Sequence, residues 1–371
     1  MYKGHKIIDG HVHYILDCAP EFFAELMDNT GTDMAHVAAI EHGDRLSASV
    51  EAMALKALYP ARFYVSAGID PCEYYRGGAD MGIRIAAYAK RILDAGCDGI
   101  KLLEGKPQLR RAHPIPDFDA ECWDAFWTFM EHSGTPLLWH VNDPEEFWDK
   151  SKVPLWAVNL GWEYDSTYIN NEEQYRQVLA VLARHPKLRV CFAHMFFMSA
   201  QLPRLSAILD KYENVMVDLT PGIEMYENLS RDGAETRAFF EKYHARIIYG
   251  TDICSRFVYT QTPKPLNVAE NYRRPEIVRD FLFENHPVTV AADGNFVRNR
   301  PDFMMDCLGL EGERLDEIIS GNFLRFIGGA PKSVDIPAVL KECARLRAES
   351  LDRGADCTGL DLAEKYLKPL I

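Results

Sequence analysis

Two histidines one residue apart, His11 and His13 in "KIIDGHVHYI", have the types and spacing for metal chemistry. On a strand, positions i and i+2 share a face, so the two imidazoles project side by side. A pair of neutral imidazoles converging on one point makes half of a metal site. An isolated H-x-H is equally compatible with two ordinary surface histidines, so the rest of the chain has to decide. Four further residues carry the same kind of chemistry: Lys101 in "GIKLLEG", His140 in "PLLWHVND", His194 in "VCFAHMF" and Asp252 in "IIYGTDI".

These residues need elements to position them. Eight short apolar runs punctuate the chain: "KIIDGHV", "HVAAI", "FYVSAGI", "DGIKLL", "PLLWHV", "LRVCFAHM", "NVMVDL" and "RIIYGT". Several are continuously apolar rather than alternating, as parallel strands buried on both faces are. Helical punctuation lies between them. "APEFFAELMDNTG" has Pro20 near a helix start and Gly31 past its end. "DFDAECWDAFWTFMEHSG" opens on acidic residues and closes at Gly134. "NNEEQYRQVLAVLARHP" begins with Asn and Glu and ends on Arg184, His185 and Pro186. Strand and helix alternating in this way predict an α/β fold, a (β/α)8 TIM barrel. A doubly wound sheet is the competitor, but the turn after the first strand, "GHVHYILD", lacks the G-x-G-x-x-G phosphate signature.

On this barrel the four histidines and Asp252 all fall at the carboxyl ends of strands, where barrel enzymes build their sites. Burying such groups without a shared partner is costly, and a bound cation removes that cost.

The arrangement resembles the amidohydrolase superfamily: H-x-H on strand one, Lys on strand four, His on strands five and six, Asp on strand eight. "GTD" after an apolar run and the closing "SGNFLRFIG" are similar to its amidohydrolase-related branch of hydrolases, lactonases and decarboxylases. The likeness runs over roughly residues 5–329. It implies one divalent metal, zinc first and manganese second, held by His11, His13, His140 and Asp252, with His194 directed at substrate and water. It also implies an alternative with two metals, bridged by a carboxylated Lys101 and with His194 as an added ligand. Lys101 otherwise pairs as an ammonium with a substrate carboxylate, or lies outside the site.

Zinc lowers the pKa of bound water to about 7. Asp252 is expected to bind the metal through one oxygen and accept the water proton on the other, while His194 orients the water or polarises the scissile carbonyl. Arg256, four residues past Asp252, is a candidate for a substrate carboxylate, as are Arg110 and Arg111; Asp218 and Tyr226 are candidate pocket residues. The expected enzyme is a metal-dependent hydrolase opening an amide, ester or lactone of a small carboxylated substrate. The alternatives are a non-oxidative decarboxylase, which is a lyase, on the same site, and a catalytically silent metal-binding scaffold. The scaffold reading is disfavoured because structural zinc sites are usually Cys-rich closed cages, and no cysteine adjoins these histidines.

Two segments exceed a minimal barrel. The connection after strand five carries Trp148, Trp156, Trp162, Tyr164 and Tyr168, and residues 147–168 either close over the pocket or pack among themselves. Residues 1–329 are assigned to the barrel. Residues 330–371 read as a helical extension packing on it or on another subunit, which leaves a homo-oligomer open.

Bulk properties bound the function. The 371 residues, 47% hydrophobic, suffice for a large core. Lys and Arg number 41 against 55 Asp and Glu, a net charge of −14, which argues against nucleic acid and anionic membranes as partners. Nine scattered cysteines without C-x-x-C, no leader-like segment and no spanning apolar stretch read as a cytoplasmic protein acting on a small molecule.

Overall fold

A computed structural model of the chain describes residues 1–222, 224–257, 264–265, 268–290 and 303–371; among these the side chains of residues 156, 256–257, 264–265 and 268–270 lie outside the description. Eight parallel strand positions form the barrel: β1 (Ile8–His13), β2 (Met34–Ala38), β3 (Phe63–Ala67), β4 (Gly99–Gly105), β5 (Leu137–Val141), β6 (Val190–Phe192), β7 (Val215–Asp218), and an eighth strand in two pieces, β8 (Ile247–Ile248) and β9 (Ile253–Cys254). The sheet runs β8-β7-β6-β5-β4-β3-β2-β1-β9. Because β8 pairs with β7 and β9 with β1, the broken eighth strand closes the ring. Backbone bonds Gly10 N–H to Tyr249 O (2.8 Å) and Asp252 N–H to His11 O (2.9 Å) stitch the seam between the pieces.

The helices start and stop where their chemistry requires. Pro20 takes the first position of helix Pro20–Asn29, where a missing N–H costs nothing. Asn170 caps helix Asn171–Arg184 by accepting from Glu173 N–H. Helix Asp124–Ser133 ends on Gly134 at φ 63°, a left-handed conformation that glycine adopts without strain.

Two apolar layers hold the barrel. Most core residues lie between strands and helices. A smaller cluster fills the barrel interior beneath the site, where Ile8, Tyr64, Leu138, Cys191, Met216 and Ile248 meet Phe323 and Phe326. Helix Asn322–Ile327, the "NFLRFI" of the closing motif, therefore plugs one end of the barrel. The C-terminal helices Ile336–Arg353 and Thr358–Leu367 bury Val339, Cys343, Leu360, Ala363 and Leu367 completely and pack on helix Ala48–Leu58. There Gly359 approaches so closely that an added Cβ would collide with Glu51 and Ser47. All nine cysteines are free thiols. No helix among the described residues is long and apolar enough to cross a membrane.

Candidate metal centre and its pocket

Strand β1 does not alternate simply. Its register against β2 shifts between Asp9 and Val12, a bulge of the kind that re-aims side chains beside active sites. Ile8 packs in the interior cluster, yet His11 and His13 both reach the pocket above it. Each imidazole is then locked through Nδ1. His11 Nδ1 lies 2.8 Å from Asp218 Oδ2 and 3.2 Å from Thr220 Oγ1; His13 Nδ1 lies 2.7 Å from the carbonyl of Ala38. With those nitrogens protonated toward their acceptors, both Nε2 atoms carry lone pairs, the tautomer a metal requires.

Asp252 closes the group from the broken eighth strand. The register Val12↔Ile253 and His13↔Cys254 sets it beside β1, and its Oδ1 lies 3.0 Å from His13 Nε2. Ligand atoms of His11, His13 and Asp252 lie within 4.8 Å of one another. Burial alone would raise the Asp252 carboxyl, but the Arg274 guanidinium holds it well below the usual carboxylate range. Burial, with the charge of Lys101 added to it, pushes His11 well down, so the site holds a carboxylate and a neutral imidazole.

His194 and His140 stand across the pocket, with ring centroids 5.1 Å apart. The expected strand around His194 is cut short. β6 ends at Phe192, and His194 to Phe197 follow with φ of 55°, 50°, 59° and 52°, one turn of left-handed backbone. Each such non-glycine residue costs roughly 1–2 kcal/mol. The turn is pinned by His194 N–H to Asp218 Oδ1 (2.7 Å) and by the Tyr175 hydroxyl donating to Phe196 O (3.0 Å). His194 Nδ1 lies 3.0 Å from the Thr220 carbonyl, which leaves its Nε2 as an acceptor. Burial, followed by the neighbouring His140, lowers its pKa to about 4. His140 Nε2 is buried without a hydrogen-bond partner, its nearest carboxylate being Asp143 Oδ1 at 3.4 Å. A buried acceptor left idle is what a missing ion or substrate group explains. His140 is not part of the 4.8 Å group, so it faces the centre from a greater distance.

Lys101 lies inside the site. Only 1% exposed, it places Nζ 3.1 Å from His11 Nε2, and burial lowers its pKa to about 8. A cavity of about 1070 Å³ opens over these groups, its far wall formed by Lys106, Asp143, Phe147, Leu160 and Trp162. The 147–168 connection packs among itself and contributes to the cavity wall. Phe147, Ala157 and Tyr164 form a small core of their own, and Phe147 and Trp162 also face the cavity. Lys106 Nζ bonds both Asp143 oxygens at 2.7 Å and sits 3.8 Å from the Trp162 ring centroid; Tyr164 donates to Asp143 Oδ2 at 2.5 Å. Opposing the effect of burial, Lys106 lowers Asp143 to about 2.

Several expected pocket residues lie elsewhere. Arg110 pairs with Asp117 and packs over the Phe118 ring, and Arg111 covers the Tyr168 ring, both away from the cavity. Asp218 stands behind His11 as its orienting partner rather than on the wall. Tyr226 bonds the Leu219 carbonyl in the core. The side chain of Arg256 lies outside the described residues. Arg274, Lys106, Asp143 and Thr220 were not picked out in the sequence. Asp143, three residues past His140, carried the one local signal. Arg274 lies 22 residues beyond Asp252 with nothing local to connect them. It donates from Nη1 to Asp252 Oδ2 (2.5 Å), so the oxygen expected to accept a water proton already has a partner.

The fold gathers the strand-end histidines and Asp252 into a candidate metal site at the carboxyl face of the barrel. The amidohydrolase family model matches residues 8–285, and the chain belongs to that family. No curated protein matches it in sequence. Among solved structures it is similar to 2,6-dihydroxybenzoate decarboxylase from Rhizobium (12% identity, 87% of this chain and 98% of that one, TM-score 0.52). It is similar also to an amidohydrolase structure from Staphylococcus aureus (16%, 87% and 99%, 0.51) and a TIM-barrel protein from Bordetella bronchiseptica (14%, 86% and 98%, 0.51). At these identities the likeness shows the shared barrel fold.

Proposed function

We propose that this chain is a metal-dependent hydrolase that opens an amide, ester or lactone of a small carboxylated substrate. The observation that carries this reading is the convergence of His11, His13 and Asp252, one ligand atom from each within 4.8 Å of the others, with each imidazole oriented by an Nδ1 bond to a fixed acceptor. The donor set, two neutral nitrogens and one carboxylate oxygen, suits zinc or manganese, and the idle Nε2 of His140 supplies a fourth donor facing the same space. A divalent ion there supplies Lewis acidity and an activated nucleophile.

The chain's own residues do the rest. His194, kept neutral by burial, accepts the proton of the attacking water on Nε2 and returns it to the leaving group. Asp252 serves as an anionic anchor, since Arg274 engages its second oxygen. Lys101 pairs with the substrate carboxylate. The wall of Phe147, Leu160 and Trp162 excludes water and accepts the apolar body of the substrate.

The 3.1 Å contact between Lys101 Nζ and His11 Nε2 supports a second reading. An ammonium that close to a ligand nitrogen opposes a cation, whereas the neutral amine can take up CO2, lose a proton and become a carbamate, an anionic ligand for a second ion. A screen of zinc-loaded protein against lactones, amides, esters and carboxylated aromatics, read by proton release, amine release and CO2, tests the reaction class. Metal-dependent proton release from an ester or lactone, or amine release from an amide, is expected without CO2. CO2 from an aromatic acid, with no hydrolysis of the other classes, would replace the hydrolase by a decarboxylase.

A further inference from the structure

We propose that Arg274 is the positioning residue that holds Asp252 in its metal-facing conformation and assigns different tasks to its two carboxylate oxygens. The proposal rests on the metal reading above. Asp252 occupies φ 58°, a left-handed conformation that strains a non-glycine residue. Something must pay for that strain, and the structure supplies two anchors. Asp252 N–H donates to His11 O at 2.9 Å, and Arg274 Nη1 donates to Asp252 O at 2.7 Å.

The same Nη1 reaches Asp252 Oδ2 at 2.5 Å, so backbone and side chain of the aspartate are clamped by one nitrogen. Oδ1 is thereby left toward His13 Nε2, 3.0 Å away. The guanidinium is 2% exposed and lines the pocket. Burying a guanidinium is expensive unless its partners are fixed, and here they include the carboxylate of the site itself.

The helix that carries Arg274 has its own attachment to the barrel. One turn earlier on helix Val268–Phe283, Asn271 grips the backbone of Cys254 twice, accepting from its N–H and donating to its carbonyl, both at 3.0 Å. These two bonds copy the pairing of a neighbouring strand. Asn271 therefore docks the helix on β9, and Arg274, three residues on, reaches back to the strand break. This division of labour gives the two residues different consequences: Asn271 docks, Arg274 aims.

Zinc affinity, measured by competition with a chelator, separates them. In Arg274→Gln it is expected to fall by roughly 10- to 100-fold, the size typical of partners that orient metal ligands, while the far-UV circular dichroism of the metal-free protein stays unchanged. Arg274→Lys keeps the charge with one ammonium and should recover part of the loss. Asn271→Ala should lower the melting temperature of the metal-free protein and leave zinc affinity within about threefold of wild type. If Arg274→Gln does not fold, Arg274→Lys decides alone, by a weakening of threefold or more. Wild-type affinity in either folded arginine variant, beside normal zinc uptake by the parent, overturns the proposal and spares the metal reading. A parent chain that takes up no zinc removes both.

Discussion

The two sides of the pocket are built in opposite ways. On the β1 and β9 side each reactive group has a fixed partner: His11 on Asp218, His13 on the Ala38 carbonyl, Asp252 on Arg274. The partners are themselves backbone or buried side chains. On the β5 side, His140 leaves its Nε2 without a hydrogen-bond partner. The adjoining wall, Asp143 with Lys106, Tyr164 and Trp162, depends on a loop with its own small core. The contrast teaches where precision is needed. An ion demands donor positions fixed to a fraction of an ångström, which strands and buried carboxylates provide. A substrate wall has to admit and release a molecule, which suits a loop latched by a few polar contacts.

Breaking the chemistry at the junction of the two sides should have the largest effect. His194 stands between them, within 5.8 Å of the His11 ring and 5.1 Å of the His140 ring. His194→Ala is expected to cut kcat by about 100- to 10,000-fold while metal content stays near normal. Metal lost in step with activity would make His194 a ligand and favour the two-metal arrangement with Lys101.

Loosening the rigid side without removing a ligand should cost less. Asp218→Asn keeps the shape but weakens the bond that orients His11, and it also disturbs the anchor of the left-handed turn at His194. Metal affinity should drop by roughly 10- to 100-fold. An unchanged affinity would show that His11 is oriented well enough by Thr220 alone.

The adjustable side should yield the smallest change. Tyr164→Phe deletes one hydrogen bond to Asp143, worth about 1 kcal/mol, or about fivefold. The loss should appear in KM for a substrate that fills the pocket, with zinc affinity unaffected. A change in zinc affinity instead would mean that Asp143 and the loop belong to the metal side.

Much of this contrast could be read in the chain. Strand-end histidines and Asp252 are local signals, because a residue closing an apolar run is carried to the carboxyl face by the strand itself. The eight strand positions followed from the same runs. What escaped was non-local or conformational. The bulge at Asp9–Val12 and the left-handed turn at His194–Phe197 are backbone states that side-chain pattern does not encode. The break between β8 and β9 depends on Asp252 accepting a positive φ, which Arg274 stabilises from another element. Arg110 and Arg111 misled because charge alone says nothing about which way a short helix turns its side chains.

The central claim is that His11, His13 and Asp252 hold a divalent ion. The most direct test is elemental analysis of the chain and of His13→Ala, both loaded with zinc and then freed of loosely bound metal. The account predicts about one ion per chain in the parent and its loss in His13→Ala. A parent without metal, or a His13→Ala variant that keeps the parent's content, would contradict it.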